Sequence, residues 1–351
     1  MGTGNFEKEK FPSIISIGTA NPEKIYTQEE IYKISGYNNK KIESIFLNSG
    51  IAKRHMFFTE EDPVPNENLD QLHRRYKKGS ISIGTEAVRR CLKNARVEAK
   101  EIDFIIATSC TGYLCPGLSS IMVKEFQMRE NIQRTDIQGM GCAGALPSIQ
   151  RAYDHIMAYP EHKVLLLCVE ICSAAYYLNG SMETIIGNAI CGDGAAAMLI
   201  SNGSSDSGQR VLGFQSEVDS EFLDSVGLCY ENGRLKIILG KEIQKLAGPS
   251  VNKAVKELIG RNGLEKKDIK HWVIHPGGRN VIENIREELG LKEEDIRHSK
   301  LILSNYGNMS SPTVIFVLEE TIKCGNPKKG DYGVMIALGP GLAAETALLQ
   351  W

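Results

Sequence analysis

The sequence predicts a duplicated α/β protein, because one unit of helix, turn and strand is written twice along the chain. Ala87 to Ala107 (AVRRCLKNARVEAKEIDFIIA) matches Ala254 to Ile274 (AVKELIGRNGLEKKDIKHWVI) at a constant offset of 167 residues, with no gap. At an offset of 166 the parallel continues, with QGMGCAG around Cys142 opposite SNYGNMS around Asn308. Further on, KVLLLCVE and DYGVMIALGPG are both apolar strands that end in special loops. Each copy reads as an amphipathic helix, a polar turn and a short apolar strand. A period this long exceeds the roughly 20–50 residues of solenoid repeats and marks two α/β halves.

The elements follow in order. Residues 1–80 are charge-rich and helical in places, with Pro63 and Pro65 breaking the pattern, and are expected to cap the two halves. In the first half RTDIQ reads as a strand, Cys142 follows it, and ALPSIQRAYDHIMAY continues as a helix. SNGSSDSG is a polar linker, and Leu228–Tyr230 with Leu235–Ile238 around Asn232–Gly233 reads as a hairpin. In the second half HWVI is a strand that ends at His275 and is followed by PGG. LILSN stands before Asn308 as RTDIQ stands before Cys142, and SSPTVIFVLEETI is the helix that follows. The expected division is 1–210 and 211–351.

Composition removes several function classes. The 351 residues carry 41 Lys+Arg against 43 Asp+Glu, a net charge of −2 and a pI near 6.4. That balance offers no electrostatic footprint for nucleic acid or an anionic membrane. The longest apolar runs, Val164 to Val169 and Ala195 to Ile200, are six residues each, against about 20 for a spanning helix. Glu7, Lys8 and Lys10 stand where a signal peptide needs apolar residues, and Phe6 where a myristoylation signal needs Ser or Thr. A cytoplasmic protein is expected. Nine cysteines with no C-x-x-C pair argue against a disulfide framework and a zinc ribbon. Most are expected to be reduced thiols packed as small apolar groups.

Alternating strands and helices gather loops and helix starts at the carboxyl ends of strands, where α/β proteins bind ligands. Cys142, His275 and Asn308 fall at such points. A thiol at a helix N-terminus meets unpaired amide N–H groups that favour thiolate. An imidazole beside it can hold that thiolate or donate to an oxyanion. A side-chain amide donates without titrating, so it can stabilise an enolate or tetrahedral oxygen. The repeat makes Cys142 and Asn308 pseudo-equivalent, so a pseudo-twofold axis brings both helix starts to one centre. A competing motif overlaps them: Gly139-Met-Gly141-Cys-Ala-Gly144 has the G-x-G-x-x-G form, with Glu170 ending the next strand. That acid lies 26 residues beyond Gly144, later than the roughly 20 of a dinucleotide fingerprint. The loop around Asn308 keeps only one of the glycines.

Six motifs in order, TSCTGYLCPG (108–117), GMGCAGA (139–145), ICGDGAAA (190–197), HPGG (275–278), YGNMSSP (306–312) and LGPGLAAE (338–345), resemble the type III polyketide synthases. These are the chalcone and stilbene synthases and their bacterial relatives, and the resemblance runs from about residue 13 to the C-terminus. It implies a thiolase fold, two α/β halves in five α-β-α-β-α layers. It implies that Cys142 takes an acyl starter from coenzyme A while His275 keeps it as thiolate. His275 and Asn308 would then hold the thioester oxygen of malonyl-CoA during decarboxylation, and the enolate would attack the Cys142 thioester. Repeated extension and cyclisation follow. The resemblance implies no metal and no cofactor beyond coenzyme A thioesters as substrates, and it implies a homodimer joined through the strand near Lys163 to Glu170.

The resemblance also assigns the surroundings. Cys110, Thr111, Cys172 and Ala175 match cavity positions, as does Gly278 within HPGG. Cys115 matches a position that reaches across the dimer to the partner's cavity. Gly339, with Pro340 and Gly341, matches the loop that shapes the cavity floor. Three positions depart from the pattern: Cys191 stands in place of a gating Phe, Leu338 replaces the Phe of the C-terminal loop, and of three basic coenzyme A contacts only Lys41 is kept. Ser44 and Asn48 occupy the other two, with Lys53 and Arg54 as substitutes. The alternatives are a β-ketoacyl-acyl carrier protein synthase III, which usually reads H-Q-A-N and GGG at these motifs, a hydroxymethylglutaryl-CoA synthase, which needs a catalytic Glu, and a non-catalytic thiolase-fold binding protein.

Overall fold

The computed structural model describes residues 11–59, 64, 66–202, 208–240 and 243–351. Phe6, Glu7, Lys8, Lys10, Pro63, Pro65 and residues 203–207 of the polar linker lie outside the described residues.

Up to residue 201 the chain forms β1 (Ser13–Ala20), β2 (Ile25–Thr27), α1 (Gln28–Ile34), α2 (Lys40–Leu47), β3 (Lys53–His55), α3 (Leu69–Ala95), β4 (Phe104–Thr108), α4 (Leu118–Glu125), β5 (Gln133–Ile137), α5 (Ala145–Ala158), β6 (Val164–Ile171), α6 (Met182–Ile190) and β7 (Asp193–Ser201). From residue 209 it forms β8 (Gln209–Glu217), β9 (Val226–Glu231), β10 (Arg234–Leu239), α7 (Ile243–Arg261), β11 (Ile269–Ile274), α8 (Arg279–Leu289), α9 (Arg297–Tyr306), α10 (Thr313–Cys324), β12 (Tyr332–Gly339) and β13 (Ala343–Gln350). The repeated stretch is α3–β4 in one copy and α7–β11 in the other. The hairpin read around Asn232–Gly233 is β9–β10.

Nine strands make one sheet in the order β11-β12-β13-β8-β1-β7-β6-β4-β5. Outward from the β8/β1 junction the two directions repeat each other. The β1–β7 and β7–β6 pairs are antiparallel and β6–β4 is parallel, just as β8–β13 and β13–β12 are antiparallel and β12–β11 is parallel. This is the pseudo-twofold that the sequence offset implies.

Period-two burial of the strands sorts the core into layers. In β6, Val164, Leu166 and Cys168 pack with α5 and α10, while Leu165, Leu167 and Val169 pack with α3 and α4. In β12, Met335 and Ala337 share the α5/α10 core, and Val334 and Ile336 join a third core with α7 and α8. The layers are therefore α3/α4, the β7-β6-β4 arm of the sheet, α5/α10, the β13-β12-β11 arm and α7/α8, which is the thiolase fold.

Three expectations need correction. Residues 13–20 are not part of a cap. They form β1, which lies inside the sheet, and α3 crosses its face so closely that a Cβ on Gly18 would sit 2.3 Å from the Ala87 oxygen. LILSN is not a strand but the end of α9. A helix buries His298, Ser299, Ile302 and Leu303 on one stripe, a spacing that alternation cannot match. The strand near Lys163 to Glu170 is not an edge, since β6 is wholly buried and bonded on both sides by β4 and β7. The edge on that side is β5, with Gln133, Arg134, Thr135 and Asp136 exposed.

Candidate active site

Three loops from distant parts of the chain converge between the halves. Cys142 sits in the turn between β5 and α5. Gly141 before it has φ +49°, and a Cβ there would lie 2.6 Å from Pro340 Cδ, so only glycine lets this turn meet the C-terminal loop. His275 follows β11, its backbone N–H donating to the Ile336 oxygen at 2.8 Å. Asn308 follows α9 after Gly307, which has φ +69° and whose Cβ would lie 2.7 Å from the Ile190 oxygen. The Asn308 N–H donates to that same oxygen at 2.7 Å, and Gly192 N–H donates to the Asn308 oxygen at 2.9 Å.

Neighbouring groups orient the asparagine amide. Oδ1 accepts from Ser310 N–H at 2.8 Å, and Nδ2 donates to the Gly277 oxygen at 3.3 Å. Nδ2 lies 3.8 Å from Cys142 Sγ. His275 is buried, and neither ring nitrogen has a hydrogen-bond partner among the described residues. All three side chains line one cavity of about 970 Å³, its open mouth included. The arrangement places a thiol, an uncommitted imidazole and an amide donor around one space, as acyl transfer and enolate stabilisation require.

Burial dominates both titratable groups. It pushes the Cys142 thiol up to about 11 and the His275 imidazolium down to about 3. Burial penalises a lone charge, whereas moving the proton from Cys142 to His275 creates an opposed pair. Neither burial shift favours a lone thiolate at neutral pH, and the imidazole that shares this cavity is the candidate acceptor for its proton. In a His275→Gln variant, which has no proton acceptor, iodoacetamide labelling of Cys142 is expected to rise only as pH approaches about 11. The unmodified protein is expected to label at lower pH, and coincident profiles would remove His275 from this role.

Cys110, Thr111, Cys172, Ala175, Cys191, Leu338, Gly339 and Pro340 all line the cavity with the three central residues. Gly278 does not; Gly277 lines it, and Gly278 precedes α8 in extended backbone. Lys41 is exposed on α2. Cys115 is exposed on the loop before α4, outside its own chain's cavity. Arg54 cannot substitute as a coenzyme A contact: it is fully buried, and its guanidinium donates to the Asn188 and Cys191 oxygens and to Gln28.

The dinucleotide reading also falls. Glu170 faces no ribose; it accepts from Cys110 N–H, Thr111 N–H and Oγ1, Ser109 Oγ and Ser311 Oγ, tying the cavity loops together.

Sequence reasoning missed the apolar wall. Val226, Leu228, Ile237, Ile238 and Leu239 of the β9–β10 hairpin line the cavity, as does Ile190 of α6. The hairpin was legible, but nothing local says which way it folds.

A cavity between duplicated α/β halves, with a cysteine at one central helix start and an asparagine at its pseudo-equivalent, defines a thiolase-fold condensing enzyme. Comparison with known proteins narrows the class. Residues 22–262 match the family described as FAE1/type III polyketide synthase-like protein, and residues 224–351 match the C-terminal domain of chalcone and stilbene synthases. The 3,5-dihydroxyphenylacetyl-CoA synthase of Streptomyces toyocaensis is 34% identical over 97% of this chain and 90% of its own. The 1,3,6,8-tetrahydroxynaphthalene synthase of Streptomyces peucetius subsp. caesius is 26% identical over 100% and 96%. Among solved structures, PKS-I of the brown alga Ectocarpus siliculosus superposes with a TM-score of 0.91 at 26% identity, covering 97% of this chain and 98% of that one. The chain belongs to the chalcone and stilbene synthase-like family of type III polyketide synthases, which carry out condensation on coenzyme A thioesters.

Proposed function

We propose that the protein loads an acyl-CoA starter on Cys142, extends it by repeated decarboxylative Claisen condensation with malonyl-CoA, and cyclises the product. The observation that carries this reading is the convergence of Cys142, His275 and Asn308 on one cavity. In this scheme Cys142 gives its proton to His275 and attacks the starter thioester. The Asn308 Nδ2 donor and His275 then hold the malonyl thioester oxygen as carbon dioxide leaves, and the enolate attacks the acyl-Cys142 carbonyl. Incubation with malonyl-CoA, alone and with acyl-CoAs of graded length, tests the reading by mass spectrometry of products. Extension of an acyl chain by malonyl-CoA supports it. Extension only from acyl carrier protein thioesters favours a synthase III instead, and no turnover favours a binding protein.

The wall supports an apolar starter, because the hairpin face and Ile190 offer aliphatic contact. The 34% identity to 3,5-dihydroxyphenylacetyl-CoA synthases supports a small aromatic coenzyme A thioester as the alternative product, and the malonyl-only incubation tests whether malonyl-CoA alone is turned over. Where the family pattern has a gating Phe, the shorter Cys191 lines the cavity and leaves room for a wider route. Neither Tyr176, packed edge-on to Phe58 at 6.3 Å, nor Tyr177, beneath Arg234, lines the cavity to refill the space. A Cys191→Phe variant is expected to lose long-chain starters and keep small ones; an unchanged starter range would move the gate elsewhere.

Of the bases matched to coenzyme A contacts, Lys41 and Lys53 are exposed and remain candidates for the phosphates. A homodimer also belongs to this reading, with β5 as the joining edge. Cys115 lies beside it, since Gly117 packs on Asp136 of β5 and Ser119 donates to that carboxylate. Light scattering at micromolar concentration is expected to give twice the 38.8 kDa chain mass, and a monomer would refute it.

A further inference from the structure

Four of the nine cysteines, Cys110, Cys142, Cys172 and Cys191, line the cavity. The reaction proposed above uses Cys142 as nucleophile and leaves the chemistry of Cys172 and Cys191 unassigned. Cys172 follows β6, and Cys191 follows α6. Both meet the backbone of Asn308: Cys191 forms a parallel bridge with it, and Cys172 Sγ lies 4.0 Å from its oxygen. Ile171 pairs with Asp193 where β6 meets β7, so Cys172 lies one residue and Cys191 two residues beyond that pair.

Behind Cys191 lies Arg54, with no exposed surface. Its Nη1 donates to the oxygens of Asn188 at 2.8 Å and Cys191 at 2.6 Å, and its Nη2 donates to Gln28 Oε1 at 2.5 Å. Its Nε has no partner among the described residues. A buried guanidinium bonded only to neutral groups is costly unless an anion accompanies it. The charged groups facing Cys191 are Arg54, Asp193 and Glu170. Asp193 is occupied by Phe57 N–H, Ser173 N–H and Ser173 Oγ, and Glu170 by its own five donors. The neighbouring Cys172 thiol and the Arg54 charge hold Cys191 below the ordinary thiol range, while the neighbouring Cys191 and burial push Cys172 well above it.

We infer that Cys172 and Cys191 form a second reactive site in this cavity, a dithiol that small disulfides oxidise reversibly to a Cys172–Cys191 disulfide, stopping turnover. The Cys191 thiolate attacks one sulfur of the disulfide, and the first thiolate leaves with the bond's electron pair. Cys172, giving up its proton to that thiolate, attacks the Cys191 sulfur and expels the second. Two protein sulfurs are oxidised and one small disulfide is reduced to two thiol equivalents. The cavity that admits a coenzyme A thioester also admits a slim disulfide. Closure draws together two wall segments that carry the Asn308 backbone, so the amide donor moves with them.

The test treats the whole protein briefly with 2-hydroxyethyl disulfide, alkylates free thiols with iodoacetamide, and maps the peptides beside an assay of malonyl-CoA turnover. The expected result is a peptide pair joined through Cys172 and Cys191, with Cys142 alkylated and turnover down at least about tenfold until dithiothreitol restores it. Cys172→Ala should form no internal disulfide and keep most of its own turnover through the same treatment. Cys142→Ala, if Cys172→Ala fails to fold, should still show the Cys172–Cys191 link. Recovery of both thiols free, a link between Cys110 and Cys142 instead, or a Cys172–Cys191 link with turnover unchanged would each overturn the inference. The mapping needs no product, so it stands apart from the polyketide reading.

Discussion

A Cys142→Ala protein is expected to make no detectable polyketide, a loss of roughly 10⁴-fold or more, in line with single losses from other nucleophilic units. The reason is local. Cys142 is the one cavity thiol that also lies beside the Asn308 amide nitrogen, at 3.8 Å. Cys110 is no substitute, because burial and the nearby Glu170 carboxylate push its thiol well above the ordinary range. The side chain is small and half-buried, so the variant should fold and melt within a few degrees of the parent. Intact-protein mass after incubation with acyl-CoA should show no acyl adduct. Full turnover in this variant would remove Cys142 as nucleophile.

Asn308→Ala should separate the two halves of the reaction. The amide donor serves the enolate oxygen, which exists only after malonyl-CoA has arrived, whereas loading needs a thiolate and an acceptor for its proton. Loss of one oxyanion donor costs about 10²–10³ in rate, or roughly 2.7–4 kcal/mol. Malonyl decarboxylation and condensation should fall by that factor while acyl-enzyme formation stays within a few-fold. The truncation also strips Ser310 N–H of its acceptor, so a melting curve should accompany the rates. Equal losses in loading and decarboxylation would contradict the division of labour.

Much of this site was legible from residue order because the repeat carries positional information. An offset of 166 made Cys142 and Asn308 equivalents, and the β1-β7-β6-β4 and β8-β13-β12-β11 orders realise that equivalence. His275 was legible because a short apolar strand stops there and glycines follow. The eight wall positions that reached the cavity were carried by family resemblance rather than by periodicity. Arg54 was misplaced because a basic residue in a charged stretch looks exposed, and nothing local marks the carbonyls that surround it.

Alternation and amphipathic spacing, which depend only on neighbours in the chain, by themselves determined two α/β halves, the β9–β10 hairpin and three polar residues at strand ends or helix starts. Tertiary structure alone decided the rest. It placed β1 inside the sheet and made β5 the edge instead of β6, because strand order depends on pairing partners far apart in sequence. It turned LILSN into a helix, because the buried stripe there forms only against β11 and its neighbours. It also set the charge states. Burial pushes Cys142 up and His275 down, while the neighbouring Cys172 thiol and the buried Arg54 guanidinium hold Cys191 low. Desolvation and through-space charge are properties of assembled surroundings, and no single segment of the chain contains them.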